Sequence, residues 1–179
     1  MATTVDRPFD LEDLYAAPDD GNRYEVLDGA LVVTPPPGPA HQTVVGELFV
    51  VLREAARSRG LRVFMAPLAW RIGPGQVPEP DLMVVSPDAV GERAIEKPPV
   101  IVVEVLSPSG KDRDLFDKRR ICEQGGALWY WLVDPAGPSL TVLRLVEGRY
   151  EEEARVVGDS RYTTEDPFPV AVSPNQLLG

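Results

Sequence analysis

Apolar positions along the chain change their spacing from two to between three and four and back again. The run "VIVVEVLS" at 100–107 and "DLMVVS" at 81–86 are short, β-branched and apolar on both faces, the pattern of strands covered on two sides. In "HQTVVGELFVVLREAARSRG", Val44, Val45, Leu48, Val51, Leu52 and Ala55 recur at helical spacing and Gly60 supplies a stop. "FDLEDLYAAPDDG" predicts a short helix closed by Pro and Gly. "RYEVLDGALVV" predicts a hairpin, because Asp28 and Gly29 both tolerate positive φ. "LRVFMA", "LAWRI" and "LWYWLVD" read as strands, and "DRDLFDKRRICEQGG" as a helix ended by two glycines. A second hairpin turns at Glu147-Gly148, and "DPFPVAV" predicts an edge strand. The Pro- and Gly-rich stretches are spaced like loops, so the expected architecture is one domain over 1–179. Its class is α/β, or mixed α+β: a central mixed sheet flanked by helices, with hairpins near both ends.

Within that pattern Glu104 is out of place. On the strand 100–106 it shares a face with Val100, Val102 and Leu106, and everything around it is apolar. A carboxylate in such a strand is costly unless it is paired or holds a metal. It could instead lie close enough to the strand end to reach water. Asp81, at the mouth of the preceding strand, is one candidate companion: the two acids could lie together at one end of the sheet. A hard divalent cation such as Mg²⁺ or Mn²⁺ takes oxygen ligands of this kind. A single ion serves both only if the groups lie within about 10 Å of each other. Lys118 is the second candidate. Leu115, Lys118 and Cys122 are spaced i, i+3 and i+7, which puts the lysine on the apolar stripe of its helix, facing the sheet. It either snorkels past the core edge or is aimed at a buried carboxylate.

Composition narrows the chemistry. His41 and Cys122 are the only histidine and cysteine, which leaves no cysteine zinc site, no histidine cluster and no intrachain disulfide. No apolar run has the ~20 residues of a membrane span, and "MATTVDRPFDLEDLY" lacks a signal-peptide core, so a cytoplasmic protein is expected. The net charge of −10 argues against broad attraction to phosphate backbones. Basic residues nevertheless gather from "WRIG" through "GERAIEKPP" to "GKDRDLFDKRR", and would form a local rim if they faced one cleft. Lone His41, opening its helix, reads as a cap or surface residue. Trp129, Tyr130 and Trp131 read as core strand residues before they read as base-stacking ones. Asp134 before Pro135 fits a turn, and Glu151–Glu153 a solvated edge.

The ordered set Pro-Asp at 80–81, "EVLSP" at 104–108, a helix lysine and "WLVDP" at 131–135 resembles the Uma-type family of restriction endonucleases, within the PD-(D/E)xK nuclease superfamily. The hairpin "YEVLDGALVV" and the histidine opening the second helix resemble the same family, and the likeness runs over roughly residues 8–178. It implies a metal-dependent DNA endonuclease with Asp81 and Glu104 as metal-binding acids. The lysine expected at position 106, here Leu106, has moved to Lys118, and Glu25 completes the acidic cluster. Where the family often has tyrosine four residues after the lysine, this chain has Cys122. Such an enzyme would use Mg²⁺ or Mn²⁺, and a homodimer would let two sites cut two strands. Two alternatives stand beside it: a non-catalytic binding or assembly module of the same fold, and a small-molecule hydrolase using the same acids.

Overall fold

The computed structural model describes residues 7–107 and 113–179, with the side chains of 113–115 outside the description. A short helix α1 (Leu11–Tyr15) precedes the hairpin β1 (Arg23–Leu27) and β2 (Ala30–Thr34). The long helix α2 (Pro39–Arg57) leads to β3 (Arg62–Met65), β4 (Leu82–Val85) and β5 (Ile101–Val105). A π-helical turn (Arg113–Lys118) runs into α3 (Arg119–Gly125), followed by β6 (Trp129–Asp134), β7 (Ser139–Val146) and β8 (Arg149–Val157). β9 (Tyr162–Thr164) and β10 (Val170–Val172) come last.

Six strands form the central sheet in the order β3-β4-β5-β6-β7-β8. All neighbours are antiparallel except β5 and β6, which are parallel. A parallel pair cannot be joined by a tight turn, so the chain must cross over one face between them. That crossover contains the π turn and α3, and therefore Lys118.

Alternation along the central strands divides the core. Leu82, Val84, Ile101, Val103 and Val105 pack with Val44, Val45, Leu48, Leu52 and Ala56 of α2. Met83, Val85, Val102 and Leu106 face the other way, against Cys122 of α3, Trp70, Ile95 and Tyr130. By the same alternation Asp81 belongs with Met83, and Glu104 with Val102 and Leu106, so both acids fall on the crossover side. β4 and β5 pair with Leu82 opposite Val103; one further residue of that register sets Asp81 opposite Glu104.

The β1–β2 hairpin forms a two-stranded sheet of its own. Reciprocal backbone bonds between Val26 and Val77 tie it to the loop before β4. Both predicted turns are formed as expected, with Asp28-Gly29 and Glu147-Gly148 at positive φ.

Three elements differ from the sequence expectation. "LAWRI" is not a strand: Trp70 makes only an isolated bridge to Ile95, in a stretch punctuated by Pro67, Pro74, Pro78 and Pro80, which donate no backbone hydrogen bonds. The helix expected from residue 112 begins, within the described residues, as a π turn, and the regular α-helix is confined to Arg119–Gly125. "VAV" at 170–172 pairs with β9 in a separate small sheet and not on the edge of the main one. That edge is β8, which presents exposed Glu151, Glu152 and Glu153 to solvent, where charge discourages strand addition.

Candidate active site

Glu104 does not reach water at its strand end. It is wholly buried, and Lys118, equally buried, places Nζ 2.5 Å from Glu104 Oε1. The same Nζ lies 3.0 Å from Oε1 of Glu25, which the hairpin strand β1 delivers from the opposite side. Glu25 Oε1 also accepts the backbone N–H of Glu79 at 2.8 Å. The lysine thus neutralises the carboxylate that the apolar strand could not otherwise hold.

Asp81 completes the cluster. Its Oδ2 accepts the N–H of Val105, the residue after Glu104, at 2.8 Å, which binds the two acid-bearing strands together at their ends. Oδ1 receives Arg23 Nη1 at 2.6 Å, and Oδ2 lies 3.1 Å from His41 Nε2. An ionised carboxylate only accepts, so Nε2 carries the proton of this bond. Burial alone would raise the Asp81 pKa. The His41 hydrogen bond and the charges of Arg23 and Lys118 outweigh it and hold Asp81 well below the usual carboxylate range. Arg23 is the converse case: burial disfavours its charge, but Asp81, Glu25 and Glu104 raise its pKa. Glu79 has less support. Burial, then the adjacent Glu25 carboxylate, push it up to about 7 against the pull of Arg23 and Lys118.

That shift has a measurable consequence in the metal-free protein. Between the ordinary value of 4.5 and about 7, the folded chain keeps a proton on Glu79 that the unfolded chain has released. Stability therefore falls as pH rises through this window. The expected loss is up to about 2 kcal/mol once screening at the cavity wall is allowed for. Glu79→Gln should flatten this part of the stability profile and be the more stable protein at pH 8; urea unfolding at pH 5 and pH 8 for both chains tests it.

The expected site residues Asp81, Glu104, Lys118 and Glu25 are all brought together. Arg23, Glu79 and His41 join them. The first two went unnoticed in the sequence, although each has a signal: Arg23 stands two residues before Glu25 and Glu79 two before Asp81, the spacing that repeats a strand face. His41 is not a surface cap. It is buried against Asp81, because the start of α2 abuts the end of β4. Leu106 is buried in the apolar core and Cys122 packs with it in the same cluster.

The basic stretch does not line one cleft. Arg71, Arg93 and Lys97 are engaged by Glu96, Glu12 and Asp88 at the surface, and Arg119, Arg120 and Arg149 surround exposed Phe116 elsewhere. Trp129, Tyr130 and Trp131 are buried in β6 and have no free faces for bases. Asp134 accepts the backbone N–H groups of Ala136 and Gly137, a turn role.

Among the described residues, no three His, Cys, Asp or Glu side chains are already arranged as a metal cage. The donor chemistry nevertheless fits a hard cation. Four carboxyl groups (Glu25, Glu79, Asp81 and Glu104) face two fixed positive charges, Arg23 and Lys118, and such oxygens are what Mg²⁺ or Mn²⁺ bind.

A mixed sheet with an aspartate, a glutamate and a lysine gathered at the end of its central strands is a nuclease-type arrangement. Residues 11–176 match the Uma2 family, described as "Putative restriction endonuclease", and the chain belongs to that family. Among solved structures, the fold is similar to that of a "putative nuclease belonging to DUF820" from Anabaena variabilis ATCC 29413. The TM-score is 0.78 at 20% identity, covering 96% of this chain and 98% of that one. Among curated proteins there is no match. No helix of the described residues is long and apolar enough to cross a membrane.

Proposed function

We propose that this protein is a metal-dependent DNA endonuclease that hydrolyses phosphodiester bonds, with Asp81 and Glu104 as metal ligands, Glu25 completing the acidic cluster and Lys118 as the catalytic cation. The observation that carries this reading is the fully buried Lys118 ammonium held between Glu104 and Glu25, at the strand end that Asp81 shares. A purely structural core has little use for so many ionisable groups, since apolar residues of similar volume would cost less.

Bound Mg²⁺ or Mn²⁺ would supply polarisation of a phosphoryl oxygen and a bound water of lowered pKa. The chain's own groups do the rest. Lys118 offers ammonium protons to the attacking water and to charge developing on the phosphoryl oxygens. Arg23, released from Asp81 when the aspartate turns to a cation, is left as a second positive charge for the phosphate. His41 orients the Asp81 carboxylate through its Nε2 proton, and the apolar strands around Glu104 keep bulk water away, which strengthens each of these interactions.

One observation favours a second reading, a non-catalytic binding or assembly module: the acids are already engaged by Arg23, His41 and Lys118, so the fold needs no ion to tolerate them. Calorimetric titration of Mn²⁺ into the native chain and Glu104→Ala separates the two. Binding in the native chain that disappears in the variant is the expected result. No binding in the native chain, with a variant of equal or greater stability, would leave the second reading.

A further inference from the structure

A cavity of about 410 Å³ opens onto the Asp81 side of the site. Arg23, His41 and Asp81 contribute to its lining, as do Tyr15, Tyr24 and Met65. Tyr15 and Met65 are among the large hydrophobic side chains that the fold leaves exposed, at 45% and 42%. Two buried polar atoms of the lining residues, Arg23 Nε and His41 Nδ1, have no hydrogen-bond partner. Buried polar groups in native proteins are nearly always satisfied, so a donor and an acceptor left over beside one cavity point to a ligand that supplies the complements. With Nε2 protonated toward Asp81, His41 Nδ1 is an acceptor, and Arg23 Nε–H is a charged donor. The matching ligand has an anionic oxygen, an N–H or O–H group, and a flat apolar body for the tyrosines and Met65.

A nucleotide has all three. We propose that this cavity takes one unpaired nucleotide of a DNA strand, and that the protein therefore acts on single-stranded DNA in preference to intact duplex. The proposal rests on the nuclease reading and names its substrate. The phosphate lies toward Arg23, the base lies along Tyr24 and Met65, and the sugar or base edge donates to His41. The cavity is at the small end of the range for ligand pockets, the scale of a single nucleotide. Both Asp81 and Glu104 are buried, so a phosphate reaches them only by entering the cavity. In a duplex, a nucleotide must first be unstacked and unpaired to do so, whereas a single strand offers it at little cost. Charge acts in the same direction: duplex DNA carries one negative charge per ~1.7 Å of axis, and a chain of net charge −10 is repelled less by a flexible single strand.

Fluorescence anisotropy with a labelled 12-nucleotide single strand and a hairpin duplex of the same sequence tests this, without metal and with Mn²⁺. The single strand should bind at least tenfold more tightly. Tyr24→Ala should weaken single-strand binding about tenfold through lost stacking, and Tyr24→Phe should restore it. Met65→Ala, at an exposed position, should weaken it too and guards against a folding defect in the tyrosine variant. Equal or tighter duplex binding, no binding of either probe, or single-strand affinity unchanged in both alanine variants would overturn the proposal. Failure of the nuclease reading is recognised separately, as no Mn²⁺-dependent hydrolysis of bis(p-nitrophenyl) phosphate.

Discussion

Lys118→Ala is expected to lower stability by about 3–5 kcal/mol at neutral pH, the usual cost of removing one partner from a buried ion pair. The magnitude follows from what remains. Glu25 and Glu104 are both essentially without solvent contact, and the lysine is the positive charge that touches both. Without it, each carboxylate must ionise in an apolar surrounding or take up a proton. The variant should therefore recover stability as the medium is acidified toward pH 5, because protonation removes the buried charge that the lysine had balanced. Urea unfolding of the native and variant chains across this range gives both results. A loss below about 1 kcal/mol would mean that the ammonium contributes little to holding the two acids, and the assignment of Lys118 as their shared counter-ion would fail.

Glu104→Gln should produce the opposite profile: a stability change of no more than about 1 kcal/mol, together with a fall of about 10²–10³ in Mn²⁺-dependent phosphodiester hydrolysis. The amide keeps the size of the side chain and an oxygen that accepts from Lys118, and Lys118 keeps its charged partner Glu25. What is lost is a negative charge at the place where the proposed cation is held, and such preorganised electrostatic groups commonly contribute this factor to rate. Hydrolysis of bis(p-nitrophenyl) phosphate under saturating Mn²⁺ is the measurement. Activity within a factor of three of the native chain would remove Glu104 from the proposed ligand set. Together the two variants separate the two uses of the cluster: the lysine is needed to fold around the acids, the glutamate to do chemistry with them.

Local pattern accounts for much of this. The alternation in 81–86 and 100–107 was sufficient to identify two central strands, to place Asp81 and Glu104 near one another, and to mark Glu104 as an acid that needed a partner. The 3.6-residue spacing placed Lys118 on an inward-facing stripe, and Asp28-Gly29 and Glu147-Gly148 identified both hairpins. These features were legible because period and turn chemistry are properties of neighbouring residues. Regularity failed where local signals were mixed: "LAWRI" has the apolar alternation of a strand, but the surrounding prolines leave it without a ladder.

The composition of the complete site belongs to tertiary structure. Arg23 meets Asp81 across 58 residues, Glu25 meets Glu79 across 54, and His41 meets Asp81 across 40. No local period connects such positions. Their meeting depends on the parallel pairing of β5 and β6, which sends Lys118 over one sheet face, and on the Val26–Val77 bonds, which dock the hairpin there. The sequence by itself determined which strand carried an acid it could not shelter. Only the folded chain decided what would shelter it, because the energy of a buried charge depends on every group that packing brings within a few ångströms, wherever those groups lie along the chain.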